Sequence, residues 1–576
     1  MNQKKILFYI DSPGQIAAMA ATAKALQKRL NARIILMLID SKVHYGDSIA
    51  DFETYDFSVL FRPLDELTPS WIPRSLAKEN ALYYQEEKKQ SPLRRWLIDK
   101  RTKIRRSRLR FGVSRRLNKQ RIVRSPWVKE KRATLRRQRF IFGLWRRRQL
   151  WSLSRLLKDR KKRKALRRWR RGLSAWKPRT NVHLPVNSWV PKYWHDEHSA
   201  VGRSRKAVQG FKYWYGATRS IRGFVRIIEP DLIILCEDNI ETFTRVFVAY
   251  GAERDIPSIL LPTTIPNPLE AAQFYESDPG HQLDSLLKRR LFSNKWRYKH
   301  RDKKMLRLPA HKIMALEALG LSTPAPWILN RGSSAAIALD SEMQRDLYRE
   351  LGFPSKQLKV VGDMNGNTLY EGLRNKDKRV KHLCEEYGLD PDRPLILCGF
   401  PPDQFSSSNT SPFEYSSFGE MMDAWMESFH RLSDHANIII RPHPRLDPEQ
   451  LARYSSATLK IVTLPTIELI PLCDLYVASI SATIRWAISC GIPVINYDCY
   501  RYKYGDFNGA PGVIEVDQQD DFNTMLERFT SNREFAKDLR RKQQSVMNYW
   551  GLVDDKCPDR LSELALSVME NTASDL

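Results

Sequence analysis

Three short segments of the 576-residue chain carry side chains suited to chemistry. The first is Arg441-Pro442-His443-Pro444, followed by Arg445. An imidazole and two guanidinium groups can hold phosphate oxygens or stabilise a departing anion. The two prolines stiffen the loop and fix how His443 is presented. The same residues also describe a plain turn with a surface histidine. The second segment is Ala478-Ser479-Ile480-Ser481-Ala482-Thr483. Small hydroxyl residues lead here from an apolar run into a helix-favouring one. A helix N-terminus offers unpaired N–H groups and a partial positive charge, which suit a phosphate, and Ser481 serves equally as an ordinary N-cap. The third is Glu237-Asp238-Asn239. Adjacent carboxylates raise one another's pKa and are general-base candidates. Acids are also favoured at a helix start by the dipole alone. Asp11 ends the first apolar run and is a further candidate of the same kind.

Each segment follows a short apolar run, and the runs alternate with helical patterns. Residues 6–10 read as a strand, 15–30 as an Ala-rich helix and 34–39 as a second strand. That is a βαβ unit and implies a parallel sheet, whose strands are buried on both faces and therefore apolar throughout. The pattern resumes with strands at 231–236 and 257–261 around a helix at 240–251, and with strands at 335–339 and 358–361. A second series begins near residue 394, with strands at 395–398, 437–440, 475–478 and 492–496 and helices at 414–432, 482–490 and 519–550. The fold expected is α/β, with two Rossmann-like domains facing a central crevice. Ligands of open α/β sheets bind at the carboxyl ends of the strands, where all three segments fall. The boundaries expected are 1–75 with 215–373 for the N-terminal domain and 76–214 for an insert. The C-terminal domain is expected over 380–550 and a tail over 551–576, with a hinge at 374–379.

The run from Cys473 through Ala478-Ser479 and Ala487 to Gly491-Ile492-Pro493-Val494 resembles the donor-site strand, helix and strand of GT-B glycosyltransferases. Arg441-Pro442-His443-Pro444 is similar to a motif shared by CDP-glycerol transferases of teichoic acid synthesis and bacterial sialyl- and polysialyltransferases. In the sialyltransferases, two acids followed by Gly supply the base, and the His-Pro motif serves the donor. Glu237 and Asp238 fit that pattern, with Asn239 where the Gly would stand. The stretch 231–261 also resembles UDP-N-acetylglucosamine 2-epimerases. The resemblance spans about two-thirds of the chain. It implies Glu237 or Asp238 as base and His443 as a catalytic donor contact. Arg441, Pro444, Ser479, Ser481 and Thr483 would surround the donor phosphates.

The charge of the chain is uneven. Its net formal charge is +31. Between Arg94 and Arg179, 36 Lys and Arg face only Asp99, Glu130 and Asp159, so this segment alone carries +33 and the remainder about −2. Within it, Trp145, Trp151 and Trp169 recur with leucines at helical steps among Arg146, Arg147, Arg148, Lys161 and Arg163. A basic amphipathic helix of this kind suits an anionic membrane interface. A polyanionic glycan or a nucleic acid also fits basic residues mixed with aromatics. Seven scattered cysteines without a Cys-x-x-Cys argue for a reducing compartment.

The start of the chain does not read as a signal peptide, and no run reaches the roughly 18 apolar residues that span a bilayer. Gly14 stands alone, so no dinucleotide fingerprint is present, and there is no P-loop. His195 and His198 lack a third ligand at a supporting spacing, so no metal site is expected. The expectation is a metal-independent, cofactor-free transferase. Its substrates would be a nucleotide-activated sugar or polyol phosphate and a glycan or lipid-linked acceptor. It would act at the cytoplasmic face of the inner membrane in surface or capsular polysaccharide synthesis. A nucleotide-sugar epimerase and a nucleic-acid-binding protein are the alternatives.

Overall fold

The computed structural model describes residues 3–11, 15–38, 58–61, 200–405 and 413–574. Contacts divide the chain into Met1–Ala77 with Tyr193–Leu576, and Lys78–Lys192. The second unit lies outside the described residues, and so do Trp145, Arg146, Arg147, Arg148, Trp151, Lys161, Arg163, Trp169, His195 and His198.

The apolar runs form the strands their composition demands. The N-terminal lobe contains β1 (Lys5–Ile10), β2 (Arg33–Leu38), β3 (Ser58–Phe61), β4 (Leu232–Leu235) and β5 (Ser258–Leu260). A hairpin, β6 (Arg297–His300) with β7 (Lys303–Leu306), intervenes before β8 (Ala336–Leu339) and β9 (Leu358–Val360). All but the hairpin form one parallel sheet in the order β3-β2-β1-β4-β5-β8-β9. Alternate side chains enter opposite layers, as the two-residue period of a strand requires. Leu7 and Tyr9 pack with α2 (Ala200–Ile228) and α3 (Thr244–Glu253). Ile6, Phe8 and Ile10 pack on the other face, among residues of the helix Ile16–Leu30, which we label α1. A further helix, α4 (Ala310–Leu319), lies along α2.

The C-terminal lobe repeats the plan. Its strands are β10 (Leu395–Phe400), β11 (Asn437–Pro442), β12 (Leu459–Ile461), β13 (Leu475–Ala478), β14 (Val494–Tyr497) and β15 (Val513–Val516). They form a parallel sheet in the order β12-β11-β10-β13-β14-β15. Both sheets reverse direction of growth at one central pair, β1/β4 and β10/β13. These are two Rossmann-like domains, each with a crevice at its switch point. After β13 comes the short helix α5 (Ile484–Ser489), and the lobe closes with α6 (Arg533–Trp550). The helices Gly366–Arg374 and Lys376–Tyr387 meet at Asn375, inside the segment expected as a hinge.

Two boundaries differ from expectation. Trp214 and Ala217 of α2 are buried in the N-terminal core, so the insert does not extend to residue 214. Residues 551–574, within the expected tail, are part of the fold. Helix α7 (Cys557–Ser574) returns to the N-terminal lobe, where Cys557, Leu561 and Ala565 share a core with Ile16, Met19 and Ala23 of α1. Asp559 pairs with Arg29 at 2.6 Å. Local pattern could not reveal this, because α7 docks on a surface built more than 500 residues earlier. Among the described residues no helix is long and apolar enough to cross a membrane.

Leu561 is fully buried at this junction. Leu561→Ala should therefore lower stability by about 2–5 kcal/mol. Urea titration reads the loss; a midpoint equal to the parent's would mean that α7 does not complete the core.

Candidate functional site

β1 and β4 are neighbours, with Tyr9 opposite Leu235, so Asp11 and Glu237 leave the sheet side by side at the switch point. Glu237 is largely enclosed. Burial pushes its carboxyl up to about 7, and the negative charges of Asp11, Asp238 and Glu241 push the same way. A hydrogen bond from Asn239 Nδ2 to Glu237 Oε1, 2.9 Å, opposes them. Asp11 is raised as well, again by burial.

The next residue turns the other way. The Asp238 side chain is fully buried, and Arg245 Nη1 reaches its Oδ2 at 2.7 Å. Arg245 also donates from Nε to the Leu321 carbonyl. The Asp238 backbone N–H donates to Asn330 Oδ1, and Asn330 Nδ2 donates to the Tyr348 hydroxyl. The pair leaves no room beside it: a Cβ on Gly332 would lie 1.7 Å from Asp238 Oδ2. Of the two acids read as base candidates, only Glu237 is placed at the strand end without a cation pinning it. Asp238 pins β4 and α3 to the loop that follows α4.

Residues 239–243 form a turn, so α3 starts at Thr244 rather than 240. Asn239 Oδ1 accepts from the Glu241 N–H, and Thr244 Oγ1 accepts from the Asn239 N–H, which replaces the first helical turn. Glu241 is held in turn by Tyr275, whose hydroxyl donates to Oε2 at 2.6 Å, and by Arg307 on Oε1. Tyr275 stacks on His281 with ring centres 3.9 Å apart. Sequence reasoning missed this buttress. Its members are scattered over 241–307 and meet only because the β6–β7 hairpin folds back.

In the C-terminal lobe Arg441 and Pro442 complete β11, and His443 follows directly. The His443 N–H bonds to the Phe400 carbonyl at the end of β10. Its Nδ1 accepts from the Arg445 backbone N–H at 3.1 Å, so the neutral ring carries its proton on Nε2. Burial first, then the charges of Arg445 and Arg441, push this imidazole down to about 4. A neutral N–H donor beside two cations is a setting that an anion would improve. Arg441 rests on the carbonyls of Leu464 and Pro442. Pro444 is exposed.

The 478–483 turn departs from expectation. Ser479 is buried and lies 3.5 Å from Cys499 Sγ, so its hydroxyl is turned into the lobe. Ser481 and Thr483 hydroxyls bond at 2.7 Å, and Thr483 bonds on to the Tyr476 hydroxyl at 2.5 Å. Gly399 makes this possible, since a Cβ there would meet Tyr476 Oη at 2.4 Å. The first N–H groups of α5 are not bare: Ile484, Arg485 and Trp486 donate to the carbonyls of Ser481, Ala482 and Thr483. Ile480 takes a left-handed φ of 49°, costly for a β-branched residue, and its N–H is held by Asn496 Oδ1. An anion at this turn would meet the Ser481–Thr483 hydroxyl pair rather than an open helix end. His443 and this turn flank β10, about 10 Å apart at sheet spacing.

The two lobes meet at these same edges. Arg485 pairs with Asp340 at the end of β8, donates from Nη2 to the Thr263 carbonyl after β5, and donates from Nε to Ala482. Trp486 Nε1 donates to Asp363 at 2.7 Å, and Asn267 Nδ2 to Asp506 at 2.7 Å.

No family model and no curated protein matches the chain. Solved structures of similar organisation include UDP-GlcNAc 2-epimerase from Neisseria meningitidis bound to UDP-GlcNAc, at 10% identity and a TM-score of 0.47 over 98% of this chain and 100% of that one. The calicheamicin glycosyltransferase CalG4 gives 10% and 0.45 over 99% of each chain. A glycosyltransferase from Rickettsia africae gives 10% and 0.41 over 99% and 100%. Likeness at this level fixes no activity.

A cavity of about 380 Å³ opens beside Ile480, lined by Asp498, Asp506, Glu515 and Asp517. Asp498 is occupied by the N–H groups of Tyr502 and Lys503, and Asp506 by Asn267. Its walls are acidic, and it includes neither His443 nor Glu237. Among the described residues no group of three or more His, Cys, Asp or Glu is placed to hold a metal ion. All seven cysteines are free and buried.

Asp238→Asn should cost about 3–5 kcal/mol, because Arg245 would be left buried and unpaired. Glu237→Gln should keep its stability and change its pH dependence. The folded Glu237 holds its proton up to about 7 against an ordinary 4.5. Its contribution is thus complete below pH 4.5 and is lost as pH rises towards 7. Denaturation from pH 4.5 to 7 should show the parent losing up to roughly 3 kcal/mol relative to Glu237→Gln. Parallel curves would mean that Glu237 titrates normally.

Proposed function

We propose that the chain is a glycosyltransferase-type enzyme that moves a sugar, or a polyol phosphate, from a nucleotide-activated donor to an acceptor hydroxyl. The observation that carries this reading is the placement of Glu237. It is an enclosed carboxyl at the switch point of one parallel sheet, with its pKa near the working pH, while His443 and its arginines stand at the corresponding edge of a second sheet. A general base works best when its pKa lies near the ambient pH.

In this reading Glu237 takes the proton of the acceptor hydroxyl as its oxygen bonds to the transferred carbon or phosphorus. The bond from that atom to the nucleotide phosphate breaks, and the nucleotide leaves with one more negative charge. His443 donates from Nε2 to a phosphate oxygen, and the charges of Arg441 and Arg445 favour the anion. The Ser481–Thr483 pair hydrogen-bonds the same phosphates. No metal or organic cofactor takes part. The acceptor is a glycan or a lipid-linked saccharide, and the product belongs to a bacterial surface or capsular polysaccharide. The basic segment 92–180 holds the enzyme at the cytoplasmic face of the anionic inner membrane.

Titration calorimetry with CMP, CDP, UDP and GDP should find one preferred nucleotide. His443→Ala should weaken it about tenfold, the scale of one charge-assisted hydrogen bond. Glu237→Gln should bind it as the parent does but lose at least about 100-fold in kcat. The parent's rate should climb with pH through an apparent pKa near 7. A parental rate in Glu237→Gln would remove it as the base. Product analysis separates transfer from isomerisation of the free donor, and isomerisation would make the enzyme an epimerase.

A further inference from the structure

The outward face of α2 is unlike that of any other described helix. Val208, Phe211 and Tyr215 are 54%, 39% and 49% exposed. They follow one another at three- and four-residue steps and so share a stripe. The rings of Phe211 and Tyr215 stack with centres 6.0 Å apart. Lys212, Arg219 and Arg226 are exposed on the same side. The opposite side, with Trp214, Ala217, Ile221 and Val225, is buried in the N-terminal core, so the apolar stripe is not a core face turned outward by mistake. On α4, which lies along α2, Met314 is also 42% exposed.

The charge of the helix narrows what can cover the stripe. Its 29 residues include Arg203, Arg205, Lys206, Lys212, Arg219, Arg222 and Arg226 and no acid, and of these Arg222 is paired with Glu253 of α3 at 2.6 Å. The segment Arg94 to Arg179, at +33, offers this basic face no charge complementarity, and neither does a second copy of the same helix. An anionic partner is favoured. Between anionic partners, a nucleic acid would use the cations and could stack on Phe211 and Tyr215, but it offers Val208 nothing. A bilayer interface takes aliphatic and aromatic side chains at its acyl boundary while its headgroups meet the flanking Lys and Arg.

We propose that the Val208–Phe211–Tyr215 stripe of α2 is a second, structurally fixed contact with an anionic bilayer, which orients the N-terminal lobe on the surface. It extends the membrane-facing part of the reading above, but it rests on α2 alone and needs nothing from the segment 92–180.

Because the seven native cysteines are buried, a single surface thiol can be labelled selectively. Full-length Val208→Cys carrying an environment-sensitive fluorophore is mixed with vesicles of phosphatidylglycerol, vesicles of phosphatidylcholine, or single-stranded RNA. The expected result is a blue shift with phosphatidylglycerol only. The double variant Phe211→Ser, Tyr215→Ser, checked for an unchanged melting temperature, should bind those vesicles about tenfold more weakly. Co-sedimentation of the labelled chain without a blue shift would overturn the α2 contact while leaving membrane association to the basic segment. Absence of sedimentation would overturn both. A blue shift with RNA, or parental vesicle affinity in the double variant, would overturn the bilayer as the occupant.

Discussion

The organisation of this protein depends on one buried guanidinium. Arg485 is almost entirely enclosed and binds Asp340, the carbonyl of Thr263 and the carbonyl of Ala482. Two of these partners belong to the N-terminal lobe and the third to the turn that follows β13. A buried cation separated from its carboxylate costs about 3–5 kcal/mol. The lobes therefore cannot part at this point without a large loss, and any opening of the crevice has to pivot around it. The bond to Ala482 carries the same constraint into the Ser481–Thr483 turn, so the geometry of that turn is set partly by the opposite lobe. The join lies at β5 and β8, and β4 with Glu237 is the next strand along the sheet.

The strands that build both lobes were legible because parallel strands covered on both faces must be apolar throughout. Residues 6–10, 231–236, 395–398 and 475–478 had no other plausible reading, and each is a strand in the structure. The strands that escaped are short and lie at edges or in the hairpin. β12 and β15 are only partly buried, and β6 and β7 read as Arg-Tyr-Lys-His and Lys-Lys-Met-Leu. Their pairing is decided by tertiary contacts that no local pattern encodes.

The site was legible by position and not by role. All three motifs do emerge at strand ends, as their apolar approach runs implied. Glu237 and Asp238 are adjacent, and nothing in their order says which faces outward. Arg245 settles it, by pairing with Asp238 from the first turn of α3. Ser479 and Ser481 are likewise two residues apart, but the left-handed Ile480 between them sends one hydroxyl inward to Cys499 and leaves the other with Thr483.

The return of α7 to the N-terminal lobe has a consequence for how the chain is made. β1 must wait for β4, more than 200 residues later, and the core on the α1 side must wait for residues 557–574. During synthesis the C-terminal lobe is complete before the N-terminal one, the reverse of the usual vectorial order. Until α7 arrives, Ile16, Met19 and Ala23 of α1 lack Cys557, Leu561 and Ala565 as neighbours, and that side of the core is incomplete on the nascent chain. Contacts of such long sequence separation are slow to form. Ribosome-stalled chains ending before residue 557 should therefore be more protease-sensitive in the N-terminal half than chains that include α7.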